Sequence, residues 1–172
     1  MRLSRPPFHP RHFRVVLFCI CLTISAFVVG QSPHPADAAP TGWQWPLVGE
    51  KQVGRPYVAP VGEYGPGHRG IDIPAVVGDE IVAPTWVRVV FADRVVDRDV
   101  LTVDAGDGWL ASFDGATALA GVGQRVAPGA PLATVAENPH CACVHVGLRH
   151  SGAYVNPLLV WGQIPHAVLL PW

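Results

Sequence analysis

From Trp43 onward, short runs of β-branched and aromatic residues are interrupted by glycine or proline, at the roughly 8–12-residue spacing that marks many short strands. This punctuation leaves little room for anything but strands and turns. The runs are Ile81–Ala83, Val87–Ala92, Val100–Asp104, Trp109–Phe113 and Leu132–Val135, and their composition suits a pleated, half-buried surface. No window carries a capped, 3.6-period apolar stripe. The expected fold is therefore all-β, a mostly antiparallel β sandwich or open barrel. Two segments echo each other. Val77-Gly78-Asp79-Glu80-Ile81-Val82-Ala83-Pro84 resembles Val122-Gly123-Gln124-Arg125-Val126-Ala127-Pro128-Gly129. Shared turn chemistry is one explanation, and a pair of related hairpins of the hammerhead kind is the other.

The N-terminal segment has a different character. Arg2, Arg5, Arg11 and Arg14 form a basic stretch, Val15–Gly30 is an uncharged apolar run, and Ala36-Asp37-Ala38 supplies small residues at a cleavage position. This order reads as an export signal over residues 1–38. An uncleaved signal anchor is the alternative, although the apolar run is short against the roughly 20 residues of a membrane span. The expected organisation is then a signal peptide (1–38), a linker (39–45), a β-sheet core (46–160) and a C-terminal tail (161–172). It places the chain outside the cytoplasm, secreted or in the cell envelope. Residues 39–172 hold 8 Lys plus Arg and 12 Asp plus Glu, a net charge of 8 − 12 = −4. That excludes the basic footprint of a nucleic-acid binder. Membrane contact is expected only if the signal is retained.

Two motifs carry the chemistry. Gly67-His68-Arg69-Gly70-Ile71-Asp72-Ile73 begins with glycines that permit close turns and continues as a strand. In that strand Asp72 points opposite to Ile71 and Ile73, so the isoleucines enter a core while the carboxylate faces a site. In Cys143-Val144-His145-Val146-Gly147-Leu148-Arg149, the strand period of two puts Cys143 and His145 on one face and the valines on the other. Two imidazoles and one carboxylate suit a catalytic zinc with one position open for water. Each motif alone is a weak signal, because a lone histidine on a strand is more often a hydrogen-bonded core residue.

The joint pattern is specific. These two motifs, together with Gly78-Asp79, Gly123-Gln124-Arg125-Val126 and Tyr154-Val155-Asn156-Pro157, resemble the lysostaphin-type, or LytM-like, zinc metalloendopeptidases over about Trp45–Leu159. The resemblance implies that His68, Asp72 and His145 hold Zn2+. It also implies hydrolysis of the cross-bridge or stem peptides of peptidoglycan. Two departures stand out, and they resemble an actinobacterial-like subgroup with a departed catalytic histidine set. The first histidine of the family's His-x-His is Cys143, and the histidine of its Tyr-x-His-Leu stretch falls on Gly115 in Phe113-Asp114-Gly115-Ala116. Such hydrogen-bond donors contribute about 3–4 kcal/mol to lowering a barrier, so weak or absent turnover follows from the resemblance.

Other residues are candidates for the missing roles. Asp114 lies beside the vacant position and is a candidate general base. His140 precedes Cys143 by three residues, and His150 reads as a rim residue. Arg149 is a candidate for binding a substrate carboxylate, a salt bridge being the plainer reading. Cys141 and Cys143 have three states open to them: a disulfide, free thiols, or a Cys143 thiolate as fourth zinc ligand. A regular strand holds the Cβ atoms of i and i+2 too far apart for the usual ~3.8 Å, so a disulfide needs a kinked backbone. Two further functions compete with the peptidase. One is a non-catalytic wall-binding or hydrolase-regulating module that keeps the zinc site. The other is a biotinyl- or lipoyl-type carrier, which lacks its acceptor because Lys51, the only lysine, lies far from either echoing hairpin.

Overall fold

The computed structural model describes residues 40–62, 64–138 and 140–162. The expected signal peptide and most of the expected tail lie outside this range.

The alternating runs form two antiparallel sheets, an all-β sandwich that is not closed into a barrel. The larger sheet contains β1 (Gly70–Pro74), β3 (Val87–Val95), β4 (Arg98–Gly106), β5 (Trp109–Asp114), β7 (Arg125–Val126), β9 (Cys143–His150) and β10 (Ala153–Val155). Its order is β1-β9-β5-β4-β3-β7, with β10 also paired to β9. The smaller sheet contains β2 (Glu80–Val82), β6 (Ala116–Ala118) and β8 (Pro131–Val135) in the order β2-β8-β6. Two tight turns set the register of the strands that carry the site, at their far ends. Asp107 and Gly108 join β4 to β5, and Ser151 and Gly152 join β9 to β10, all with positive φ. That sign pattern matches the type I′ turns favoured by the twist of hairpin strands.

One face of the large sheet is the core face. Ile71, Ile73, Leu101, Val103, Phe113, Val144 and Val146 are buried there, and the smaller sheet adds Ile81, Leu132 and Ala133. The alternation that buries these side chains sends Asp72, Asp114 and His145 to the opposite face. Trp43 and Trp45, from the segment read as linker, and Trp161, from the segment read as tail, also enter the core. The rings of Trp45 and Trp161 meet edge to face at 4.9 Å, and Trp161 donates Nε1–H to the Gln44 carbonyl at 2.8 Å.

The two echoing segments share a turn but not a sheet. Gly78 and Gly123 both have positive φ, at 94° and 88°. The strands that follow diverge, since β2 pairs with β8 and β7 pairs with β3. Gly115 is the joint between the sheets: β5 ends at Asp114 in the large sheet and β6 begins at Ala116 in the small one. Its φ of 80° lies where L side chains are strained.

Candidate metal centre

Strand register assembles the site. His145 on β9 stands opposite Asp72 on β1 and, on its other side, opposite Asp114 on β5. Directly paired residues project to the same face, so one row reads Asp72, His145, Asp114. His68 reaches this row from the loop before β1, where its main chain forms an antiparallel bridge with Val58. Gly67 permits that close approach, because a Cβ there would lie 2.8 Å from the Val58 carbonyl.

The donor atoms converge. Oδ1 of Asp72 lies 2.7 Å from Nδ1 of His145 and 3.1 Å from Nε2 of His68, and the two nitrogens are 3.2 Å apart. Tetrahedral zinc with bonds of about 2.0–2.1 Å has ligand–ligand edges of about 3.3 Å, so the spacing fits. The outer nitrogen of His68 settles its tautomer. Nδ1 is 2.7 Å from the Pro56 carbonyl. A carbonyl can only accept, so Nδ1 carries the proton and the neutral ring presents the Nε2 lone pair to the cluster. A backbone carbonyl orienting a metal-binding imidazole in this way is the usual outer support of such sites. His68 is 7% exposed, which keeps its partners from competing with water. Among the described residues this is the one group of His, Cys, Asp and Glu side chains that could hold a metal ion.

Cys143 lies on β9 two residues before His145 and is buried, with its sulfur bonded to that of Cys141. Cys141 precedes the strand, so the chain is not extended across Ala142, and the Cα atoms approach to 5.1 Å, inside the usual disulfide range. A sulfur so engaged offers no thiolate to a metal. At Gly115, the second family histidine position implied by the resemblance, a built Cβ would lie 3.1 Å from Cβ and Nδ2 of Asn138.

Around the cluster is a cleft of about 280 Å³ whose wall includes Arg55, Arg98, Asp114, Asn138 and His140. A larger cavity of about 670 Å³ adjoins it, sharing Asn138 and Cys141, but contains none of the three donors. The chemistry therefore belongs to the smaller space. Asp114 accepts from Nε of Arg98 at 3.3 Å, while Nη1 of Arg98 donates to Asp97 at 3.0 Å. Nε2 of His140 lies 3.3 Å from Oδ2 of Asp97 and 3.3 Å from Nη1 of Arg98. Desolvation works to raise the Asp97 carboxyl, but the Arg98 hydrogen bond and the charge of His140 outweigh it and hold the group below its ordinary value. The Arg98–Asp97–His140 arrangement has no sequence signature, because His140 lies 42 residues from Arg98 and further still from Asp97.

The rim candidates have other contacts. The guanidinium of Arg149 lies 4.7 Å from the centre of the Tyr154 ring, which Arg69 also approaches at 5.7 Å. His150 stacks on Trp109 at 4.2 Å.

Comparison with known proteins agrees with this geometry. The sequence model described as peptidase family M23 matches residues 66–157, a span that includes all three converging donors. The protein Rv2891 of Mycobacterium tuberculosis is 35% identical over 153 residues, covering 84% of this chain and 61% of the relative. The chain thus spans about three-fifths of that relative's length. The murein hydrolase activator NlpD of Salmonella typhimurium is 27% identical over 140 residues, 79% of this chain and 36% of the relative. Among solved structures, Csd3 of Helicobacter pylori superposes with a TM-score of 0.58 at 20% identity, covering 74% of this chain and 34% of Csd3. At that identity the match shows the fold.

Proposed function

Because the chain belongs to peptidase family M23, we propose that it is an exported, zinc-dependent peptidase of the cell envelope that cleaves peptidoglycan peptides slowly. The observation that carries this reading is the convergence of His68, Asp72 and His145, with the tautomer of His68 fixed from behind by the Pro56 carbonyl. These three residues would hold the zinc and would leave the site open toward the cleft. Zinc bound there serves as a Lewis acid toward the scissile carbonyl and makes water a nucleophile at neutral pH. Asp114, in the same cross-strand row, takes the proton of that water, its other oxygen being held by Arg98. Arg149, turned outward over Tyr154, binds a carboxylate of the peptide.

Slow turnover follows from what stands at positions 143 and 115. A buried disulfide sulfur and a glycine supply no hydrogen bond to a developing oxyanion, and each such donor is worth roughly 100–1,000-fold in rate.

A second reading keeps the zinc and drops the turnover: a wall-binding or hydrolase-regulating module. The occupied Cys143 favours it, as does the similarity to a murein hydrolase activator. One experiment separates the two. Metal content and release of soluble fragments from purified peptidoglycan are measured for the protein and for Asp72→Ala. Bound zinc with slow, Asp72-dependent release supports the peptidase. Bound zinc with no release supports the module. Absence of zinc sinks both.

A further inference from the structure

His140 occupies an unusual position in the cleft. Its Nε2 is held between two groups of opposite character, the donor-only guanidinium of Arg98 at 3.3 Å and the acceptor-only carboxylate of Asp97 at 3.3 Å. A neutral ring with its lone pair on Nε2 accepts from Arg98. A charged ring donates its Nε2 proton to Asp97. Each protonation state therefore has a partner already in place, an acceptor for the charged ring and a donor for the neutral one.

The neighbours fix this arrangement from three elements. Arg98 opens β4 and is anchored a second time by Asp114 at the end of β5. Asp97 lies in the β3–β4 turn, where Arg94 donates to its carbonyl. The loop carrying His140 is held by the bond from its main-chain N–H to Oδ1 of Asn138 at 3.0 Å, and by the disulfide that follows at Cys141. Arg55 and the ligand carboxylate Asp72 are the other charged groups on this cleft wall. The ring is 59% exposed, so solvent reaches it directly.

We propose that His140 is the proton-exchanging residue of the cleft, a general acid rather than a replacement for the oxyanion donors lacking at 143 and 115. This rests on the peptidase reading above. As the water oxygen bonds to the peptide carbonyl carbon and the C–N bond breaks, the Nε2 proton of charged His140 passes to the departing amine nitrogen. The ring, now neutral, takes the hydrogen bond of Arg98 and is reprotonated from solvent. The water's own proton stays with Asp114 until it too is released. General acid catalysis of this kind contributes about 100–10,000-fold.

The test uses zinc-loaded protein and three variants, His140→Gln, Asp97→Asn and Arg98→Gln. His140→Gln is expected to lower kcat on a cross-bridge peptide about 100-fold, with KM changed less than about 2-fold and the falling alkaline limb of the kcat profile lost. Zinc content should remain at the wild-type value. A second readout needs no turnover. The ¹⁵N signal of the His140 Nε2 should differ from wild type in Arg98→Gln only at alkaline pH, and in Asp97→Asn only at acid pH. Cleavage by His140→Gln within about 3-fold of wild type overturns the inference while leaving the peptidase reading intact. So does a ring signal indifferent to both neighbours. Zinc-loaded wild type that cleaves nothing overturns the inference together with the peptidase, and leaves the zinc site standing.

Discussion

The imidazole of His145 lies in the space that a side chain at position 70 would fill. A Cβ built on Gly70 would stand 2.6 Å from Nε2 of His145 and 2.3 Å from the Val146 carbonyl. Backbone cannot give way at such distances, so the ring would be displaced. Gly70→Ala is expected to cost about 1–3 kcal/mol of stability through overpacking and to abolish stoichiometric metal binding. Gly147 is the control. Its nearest neighbours to a new Cβ are at 3.6 Å and 4.0 Å, ordinary contact, so Gly147→Ala should keep the metal. Metal analysis and thermal melting of the two variants decide the matter. Equal zinc in both would show that the ring does not need the space.

Zinc itself should bind at one equivalent per chain and be lost in His68→Ala and in Asp72→Ala. Affinity should fall as pH is lowered. The sign follows from the ligands, which bind as neutral imidazole and carboxylate, so acid protonates the donors and competes with the metal. Equilibrium dialysis across a pH series measures this. Binding unchanged down to strongly acid pH would mean that these three side chains are not the ligands.

Placing histidines at positions 143 and 115 is not expected to speed cleavage. Gly115 has a φ of 80°, and a side chain there meets Asn138. Gly115→His should therefore destabilise the fold by about 1–2 kcal/mol from the left-handed backbone alone. Its cleavage rate should not exceed that of wild type, with or without Cys143→His. A clear rate increase in the double variant would show that the β5–β6 joint can relax into a regular strand.

The disulfide should matter more for local shape than for global stability. It spans only one intervening residue, and loop-closure entropy for so small a ring is worth roughly 1–2 kcal/mol. Cys141→Ser is expected to lower the urea midpoint accordingly while leaving the three donors able to take zinc. Loss of cooperative unfolding would show that the bond holds up the domain.

The triad and the all-β class were legible in the sequence for one reason. Strand alternation is a period-two pattern, and it sorts Asp72 from Ile71 and Ile73 as it sorts His145 from Val144 and Val146. Cross-strand neighbours are another matter. Nothing in the local sequence says that Asp114 pairs with His145, or that Arg98 reaches both Asp114 and His140, because register depends on which strands meet. Gly115 shows the same limit. By sequence it looks like a histidine position emptied by substitution, whereas the structure gives it a backbone task, turning the chain from one sheet to the other. The core tryptophans of the flanking segments were also hidden, since neither the short linker nor the C-terminal tail carries an alternation that says what it packs against.

The Pro56 carbonyl that receives the Nδ1 proton of His68 belongs to the main chain. No exchange of one side chain for another can delete it. Variation at residue 56 changes the ring attached to the chain but leaves the acceptor, and only an insertion or deletion that reroutes the stretch before His68 removes it. This part of the metal site is therefore inherited with the path of the loop, out of reach of point substitution. Length changes between Gly54 and Gly67 are where the site is open to loss in a lineage carrying this chain.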